Sequence, residues 1–247
     1  MLGLVQDTCE GLGSYYKDPA GARRMLGTAG DFGTYSFYFS HHITSGEGGM
    51  VVCKTEDDYN LLRCLRAHGW TRHLTNREAV EAAHSDVDSR FLFVNLGFNL
   101  RPMEVQGAML TVQIPKLAAF NACRRSNLQR FRCALTADAR ASSRMALMVP
   151  SEGTDPAWFG ISAVLAPEYA HQRDEFLRYL QERGVENRPI ISGNFTRQPC
   201  IKLFMDDARP EDYPGAEVLH TRGFFIGVHQ MDIPDADIAQ LVEIVAA

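Results

Sequence analysis

The chain has no long apolar run, no basic excess and no closely spaced cysteines, and each absence narrows its function. No stretch approaches the roughly 20 consecutive apolar residues needed to span a bilayer. The opening Met1-Leu2-Gly3-Leu4 lacks the basic start of a secretion signal. A formal net charge of −5 over 247 residues is the opposite of a nucleic-acid footprint. The one basic cluster, Arg124, Arg125, Arg130 and Arg132, falls at helical spacing and reads as a solvated helix face. The six cysteines (Cys9, Cys53, Cys64, Cys123, Cys133, Cys200) form neither a CxxC pair nor a Cys/His set. A disulfide framework or a metal site is therefore not expected, and a reducing cytoplasm fits best. There is no internal repeat and no low-complexity tract.

What remains is a globular composition, 45% hydrophobic and 22% charged, with enough length for one large domain or one and a half ordinary ones. The chain is organised around Gly33 to Gly49, GTYSFYFSHHITSGEGG. An aromatic-rich strand pattern, Gly33 to Phe39, breaks into a polar turn bearing His41 and His42, then closes on glycines before Met50-Val51-Val52-Cys53. A histidine-bearing loop at the end of a sheet lies where open α/β folds bind ligands. Adjacent histidines on an extended segment point to opposite sides, so at most one faces a given pocket. Gly46, Gly48 and Gly49 permit close backbone approach to a ligand.

Upstream, Leu2 to Val5 reads as a short strand with Asp7 just past its end, placed either to cap the following turn or to face a ligand crevice. Thr55-Glu56-Asp57-Asp58 is a helix start, and the helix runs to about Ala67-His68-Gly69. Residues 74–90 have no clear period and read as an excursion or mobile loop. A helix begins near Met103, and a helical pattern persists from Ile114 to about Ala139, the expected passage between two domains. Beyond it a compact α+β unit is predicted. It comprises a strand over 159–165, a helix over 171–183 stopped by Gly184, and an extended segment over 185–190. A loop over 191–199, a helix ending at Thr221, a strand over 224–228 and a closing helix over 235–245 complete it.

The run SFYFSHHITSGEGGMVV (36–52), with RAHGWTR (66–72) and NLGFNLRPMEVQGA (95–108), resembles the DegT/DnrJ/EryC1/StrS sugar-nucleotide aminotransferase family. The family motif is Ser-Phe, then a lysine that binds pyridoxal phosphate covalently, then Glu-Gly-Gly. Ser36, Phe37, Glu47, Gly48 and Gly49 match it, and His41 stands at the lysine position. The segments Asn187–Phe195 and Gly227–Gln230 strengthen the likeness to one branch, which removes a hydroxyl group where the others transfer an amine.

The resemblance implies the α/β fold of PLP-dependent transferases (aspartate aminotransferase type I). Residues 1–125 would be the C-terminal part of the large domain, and residues 126–247 a small α+β domain. It implies pyridoxal or pyridoxamine 5'-phosphate held non-covalently, L-glutamate as amino donor, and loss of the C3 hydroxyl from a 4-keto-6-deoxy nucleotide sugar, with ammonia released. GDP would be the nucleotide, and a 3,6-dideoxysugar of lipopolysaccharide O-antigen the destination. His41 would be the proton carrier, because an imidazole takes and gives protons near neutral pH but makes no stable bond to the cofactor aldehyde. Asp7 is expected on the ring nitrogen, Glu10 near the ring's phenolic oxygen, and Ser36 on the phosphate. Asn99 would serve the phosphate site of a second copy in a homodimer. His68, Arg72, Arg188, Asn194 and His229 are expected to line the substrate side, Arg188 gripping a carboxylate or nucleotide anion.

Family chains carry a long portion before the strand at Asp7, with a phosphate loop and a ring-stacking aromatic. The chain is therefore expected to be a truncated form that binds cofactor weakly. A branch with an iron–sulfur cluster is disfavoured, because residues 71–90 hold no cysteine. Two alternatives stay open: a sugar aminotransferase that tolerates His41, and a non-catalytic chain that only dimerises or binds a nucleotide sugar.

Overall fold

A computed structural model of the chain describes residues 3–247. The expected strand at Leu2 therefore begins outside the described residues. The chain divides into two compact units, Met1–Leu117 and Ala118–Ala247. The division falls eight residues before the boundary expected after residue 125, one residue into a long helix.

In the first unit, β1 (Val5–Asp7) pairs in parallel with β4 (Phe32–Ser36), and β4 pairs antiparallel with β5 (Gly49–Cys53). A hairpin, β2 (Tyr15–Lys17) and β3 (Arg23–Met25), fills the connection between β1 and β4. Alternation explains β4: Gly33 and Tyr35 are buried, whereas Thr34 and Ser36 on the other face are only partly covered. The strand ends at Ser36, three residues before the expected end at Phe39. Phe37 onward leaves the ladder to build the loop, with its own backbone bonded to Gly48 and Ser45.

Helix α1 (Glu56–Leu65) starts as expected, with the Thr55 hydroxyl accepting the Asp58 amide and three acids in the first turn. Residues 74–90 are not an irregular excursion: they contain α2 (Arg77–Ala82), with an Arg77–Glu81 ion pair one turn apart. That segment buries no residue, so no apolar period was there to announce it. Helix α3 (Glu104–Gln113) follows, joined by a short turn at Ile114–Lys116.

The second unit opens with α4 (Leu117–Ala137) and α5 (Ala139–Arg144), the latter capped by Asp138. Its sheet has β6 (Met145–Leu147), β8 (Gly160–Leu165), β10 (Gly223–Gly227) and β9 (Asn187–Arg188) in that spatial order, all antiparallel; β7 (Thr154–Asp155) is a two-residue piece. Helices α6 (Arg173–Glu182), α7 (Pro214–Arg222) and α8 (Asp235–Ala246) complete it. The core is continuous. Ile161, Ala163 and Leu165 of β8 and Phe224 and Ile226 of β10 meet Leu128, Phe131 and Leu135 of α4, Leu177 and Leu180 of α6, and Ile238, Val242 and Val245 of α8. Gly184 stops α6 where expected, at φ 80°. Its amide reaches the Gln181 carbonyl at 3.0 Å and Val185 reaches Leu180 at 2.9 Å, the paired bonds of a left-handed helix stop.

The expectation about the basic cluster is also corrected. Arg124, Arg125 and Arg130 of α4 are not a solvated face. Arg124 is 5% exposed, donates to Gln230 at 3.1 Å, and burial pushes its guanidinium below the ordinary arginine range. Arg125 pairs with Asp155 at 2.7 Å, and Arg130 with Asp232 at 2.6 Å and Asp235 at 2.7 Å. Between them Asn127, 1% exposed, donates to the carbonyls of His229 (3.0 Å) and Met231 (2.8 Å) and accepts from the Ile233 amide (3.2 Å). Replacing Asn127 with Leu strands these backbone groups. We expect about 2–4 kcal/mol of lost stability, read from the midpoint of urea unfolding.

Candidate active site

The site is built at the carboxyl end of the parallel pair. Register sets Asp7 of β1 beside Thr34 of β4. Ser36, two residues on, lies on the same face as Thr34. The exposed Asp7 carboxylate accepts the Thr34 hydroxyl at 2.9 Å and the Cys9 amide at 3.2 Å. These bonds, the Thr34 one foremost, hold its carboxyl below the usual aspartate range. Ser36 Oγ accepts the Tyr38 amide at 3.1 Å, which leaves its own hydrogen free to donate outward.

Residues 37–48 fold into a pinned loop. The carbonyl of Phe37 accepts from the Ser45 amide (3.0 Å) and the Thr44 hydroxyl (3.2 Å), and Ser45 Oγ donates to the Glu47 carbonyl (2.8 Å). Phe37 and Ile43 anchor the loop in the core at 5% and 2% exposure. Gly48, at φ 150°, has Ser45 Oγ only 2.7 Å from where a Cβ would stand, so no side chain fits there. Gln106 of α3 donates to the Glu47 carbonyl at 2.7 Å and ties the loop to the helix.

The loop separates the two histidines. His42 is 1% exposed and packs inward. His41, its side chain 13% exposed, lies edge-on to Tyr38 at 5.5 Å between centroids, with Nε2 3.8 Å from Glu10 Oε1. That separation is ion-pair reach and too long for a hydrogen bond. Asp7, Glu10, Ser36 and His41 are thus borne by two adjacent parallel strands and the turns at their carboxyl ends.

The other expected residues are carried by other segments of the chain. His68 is exposed just past α1, in the left-handed region at φ 65°, its amide held by the Phe98 carbonyl at 2.8 Å. Arg72 lies over the Trp70 ring at 4.3 Å, and Trp70 stacks with Phe91 and Phe93. Asn99 is exposed and bridges to Ala67.

In the second unit, Arg188 is exposed and pairs with Glu186 at 2.9 Å. His229 is exposed, and its Nδ1 accepts the Met231 amide at 3.1 Å. Asn194 is 1% exposed and spends its amide internally, on the Pro210 carbonyl, Glu217 and Thr196. It has nothing to offer a substrate; together with Arg197 it pulls the Glu217 carboxyl down to about 2. The sequence reading missed Thr34 and Gln106. The Thr34/Ser36 alternation was visible as a polar face, but which residue of β1 stands opposite needed the register.

A family model described as the DegT/DnrJ/EryC1/StrS aminotransferase family matches residues 1–246. The chain belongs to this family. Among curated relatives it is 34% identical over 234 residues to GDP-4-keto-6-deoxy-D-mannose 3-dehydratase of Escherichia coli O55:H7, covering 94% of this chain and 58% of that protein. It is 33% identical over 238 residues to the protein of the same name from Yersinia pseudotuberculosis, covering 94% and 57%. A solved structure of E. coli GDP-4-keto-6-deoxy-D-mannose-3-dehydratase with bound hydrated PLP superposes with a TM-score of 0.85 at 31% identity, over 99% of this chain and 60% of that one. The chain thus spans about three-fifths of the length of these relatives, and shares with them the α/β aminotransferase-type fold that the motifs implied.

The Asp7–Thr34 bond gives a direct test. Replacing Thr34 with Val removes the largest cause of the depressed Asp7 carboxyl, so its titration midpoint, read from the carboxyl carbon by NMR, should rise. The sign follows. A carboxyl depressed in the fold contributes stability above its unfolded value near 3.8 and loses it as pH falls through the folded value. Thr34→Val should therefore flatten that acid-side dependence.

Proposed function

We propose that this chain carries the reacting centre of a C3 dehydratase that acts on a 4-keto-6-deoxy nucleotide sugar, GDP-4-keto-6-deoxy-D-mannose being our choice of substrate. Pyridoxal or pyridoxamine 5'-phosphate is held without a covalent bond, L-glutamate supplies the amino group, and ammonia is released. The protein works in the cytoplasm as a homodimer in which the exposed Asn99 serves the partner's phosphate site. The observation that carries the reading is His41, at the family's lysine position, set on a pinned loop 3.8 Å from Glu10.

The residues present fit this cofactor. An ionised Asp7, held so by Thr34 and Cys9, suits a protonated ring nitrogen. Ser36 has a hydrogen to donate to a phosphate oxygen. Among the described residues no helix is long and apolar enough to cross a membrane. When bound, the cofactor supplies an electron sink that lets a proton leave the carbon bearing its amine.

The protein's part is positional and acid–base. Asp7 keeps positive charge on the ring nitrogen. Ser36 anchors the phosphate end. His41 has no primary amine with which to tether the group, so the imidazole is free to move a proton. Nε2 takes one proton and delivers it to the C3 oxygen, which departs as water. Glu10 orients the ring from 3.8 Å, and the anchored Phe37 and Ile43 keep the loop from swinging. His68 and Arg72, in the same unit, face the sugar.

The test uses protein expressed from its natural reading frame, supplied with pyridoxamine phosphate, glutamate and the keto sugar. Ammonia should appear without any aminated sugar, and borohydride should not fix the cofactor to the protein. His41→Lys should make the attachment borohydride-stable and lower ammonia release by about 100-fold or more, the usual worth of a positioned acid–base group. An aminated sugar made by the unaltered protein would overturn the dehydratase reading.

A further inference from the structure

The turn that closes the His41 loop is held from outside the loop as well as from within. The Glu47 carbonyl accepts two donors, Ser45 Oγ at 2.8 Å and Gln106 Nε2 at 2.7 Å, so both of its lone pairs are used. Gln106 stands 59 residues further along the chain, in the first turn of α3. Its other end is occupied too. Oε1 accepts the Met103 amide at 2.8 Å, a backbone donor that the helix itself leaves unpaired. A carboxamide bonded at both ends has one orientation. Turned over, it would set its oxygen against the Glu47 carbonyl and its NH2 against the Met103 amide.

Motion of the Glu47 peptide does not stay local. Ser45 Oγ, bonded to the Glu47 carbonyl, fills the space where a Cβ on Gly48 would stand. The Ser45 amide donates to the Phe37 carbonyl at 3.0 Å, and the Phe37 amide donates to the Gly48 carbonyl at 2.9 Å. His41 belongs to the same segment, its amide on the Tyr38 carbonyl at 3.1 Å. A shift of the Glu47 carbonyl is therefore passed through Ser45 and Phe37 to the histidine turn.

We propose that Gln106 is a positioning residue for His41. Its carboxamide nitrogen holds the Glu47 carbonyl and, through the bonded loop, sets where the imidazole stands relative to Glu10. That this placement serves proton transfer rests on the dehydratase reading; the mechanical link rests on the hydrogen bonds alone. Gln106 touches no reacting group. Its effect falls on kcat, because displacing an acid–base group by about 1 Å costs up to about 100-fold in rate without weakening substrate binding.

Two substitutions separate the two ends of the side chain. Gln106→Glu keeps an oxygen for the Met103 amide, and its charge suits a helix start. At neutral pH it has no hydrogen for the Glu47 carbonyl. Gln106→Lys keeps a donor for that carbonyl and cannot accept from Met103. Gln106 is half-buried, so neither change opens the core. Both are made in protein expressed from its natural reading frame.

Hydrogen exchange at the Phe37 and Ser45 amides, followed by NMR, needs no turnover. It should speed by about tenfold or more in Gln106→Glu and less in Gln106→Lys. The excess in Gln106→Glu should shrink as pH falls toward about 4.3, where a protonated carboxyl donates again. Ammonia release should show kcat lowered by about tenfold or more in Gln106→Glu, with KM for the keto sugar within about twofold. Gln106→Lys should turn over faster than Gln106→Glu by about fivefold or more. Equal loosening of the loop in both variants, or loosening in Gln106→Lys alone, would assign Gln106 to helix capping and overturn the proposal. A loss confined to KM would overturn it as well. Loop amides that loosen only in Gln106→Glu, in a protein that releases no ammonia, would sink the dehydratase reading and keep the mechanical link. Ammonia released equally fast by the unaltered protein and both variants would do the reverse.

Discussion

In the parallel pair β1–β4, Asp7 stands opposite Thr34, and a slip of one residue would turn either side chain to the other face. The first unit's chemistry depends on that register. It places an ionised acid and two hydroxyls in one row, and it sets the turns after both strands side by side, so that Glu10 and His41 approach to 3.8 Å. Burial of Gly33, Tyr35 and Phe37 on the opposite face enforces it. Shifting the strand would put those residues in water and the polar row in the core.

The loop from Phe37 to Gly48 is rigid for a reason separate from its chemistry. Its polar groups are largely satisfied within the loop, and two apolar side chains hold it down. An imidazole that replaces a covalent tether must be placed by its backbone, because no bond to a cofactor fixes it. The division of labour between His41 and His42 follows: the His42 ring is buried, whereas His41 reaches toward Glu10.

Arginine is used in two opposite ways along the chain. On α4 it is paired or buried against the segment 229–235, where Asn127 and Arg130 fix irregular backbone that no ladder satisfies. On α1 and the turn after it, Arg63 meets the Tyr59 hydroxyl and Arg72 lies over the Trp70 ring. Sequence spacing alone does not say whether an arginine meets an acid. The α4 cluster reads as solvated because its acids, Asp155, Asp232 and Asp235, lie 30 to 105 residues away in sequence. Asn194 misled for a similar reason. It looked available until Pro210 and Glu217 were seen to consume its amide.

The family, the fold class and most helices and strands are legible along the chain, because motif order, caps such as Thr55, stops such as Gly184 and apolar period are local properties. The sequence also singled out His41 as the residue that departs from the motif. It could not announce α2, a helix that buries no residue. Tertiary structure decided which polar residues meet: Thr34 with Asp7, Glu10 with His41, Gln106 with the loop, Asn194 with Glu217. Such pairs are fixed by register and by packing between segments distant in the chain. A hydrogen-bond partner is a matter of a few ångströms in space, and periodicity along a sequence carries no measure of that.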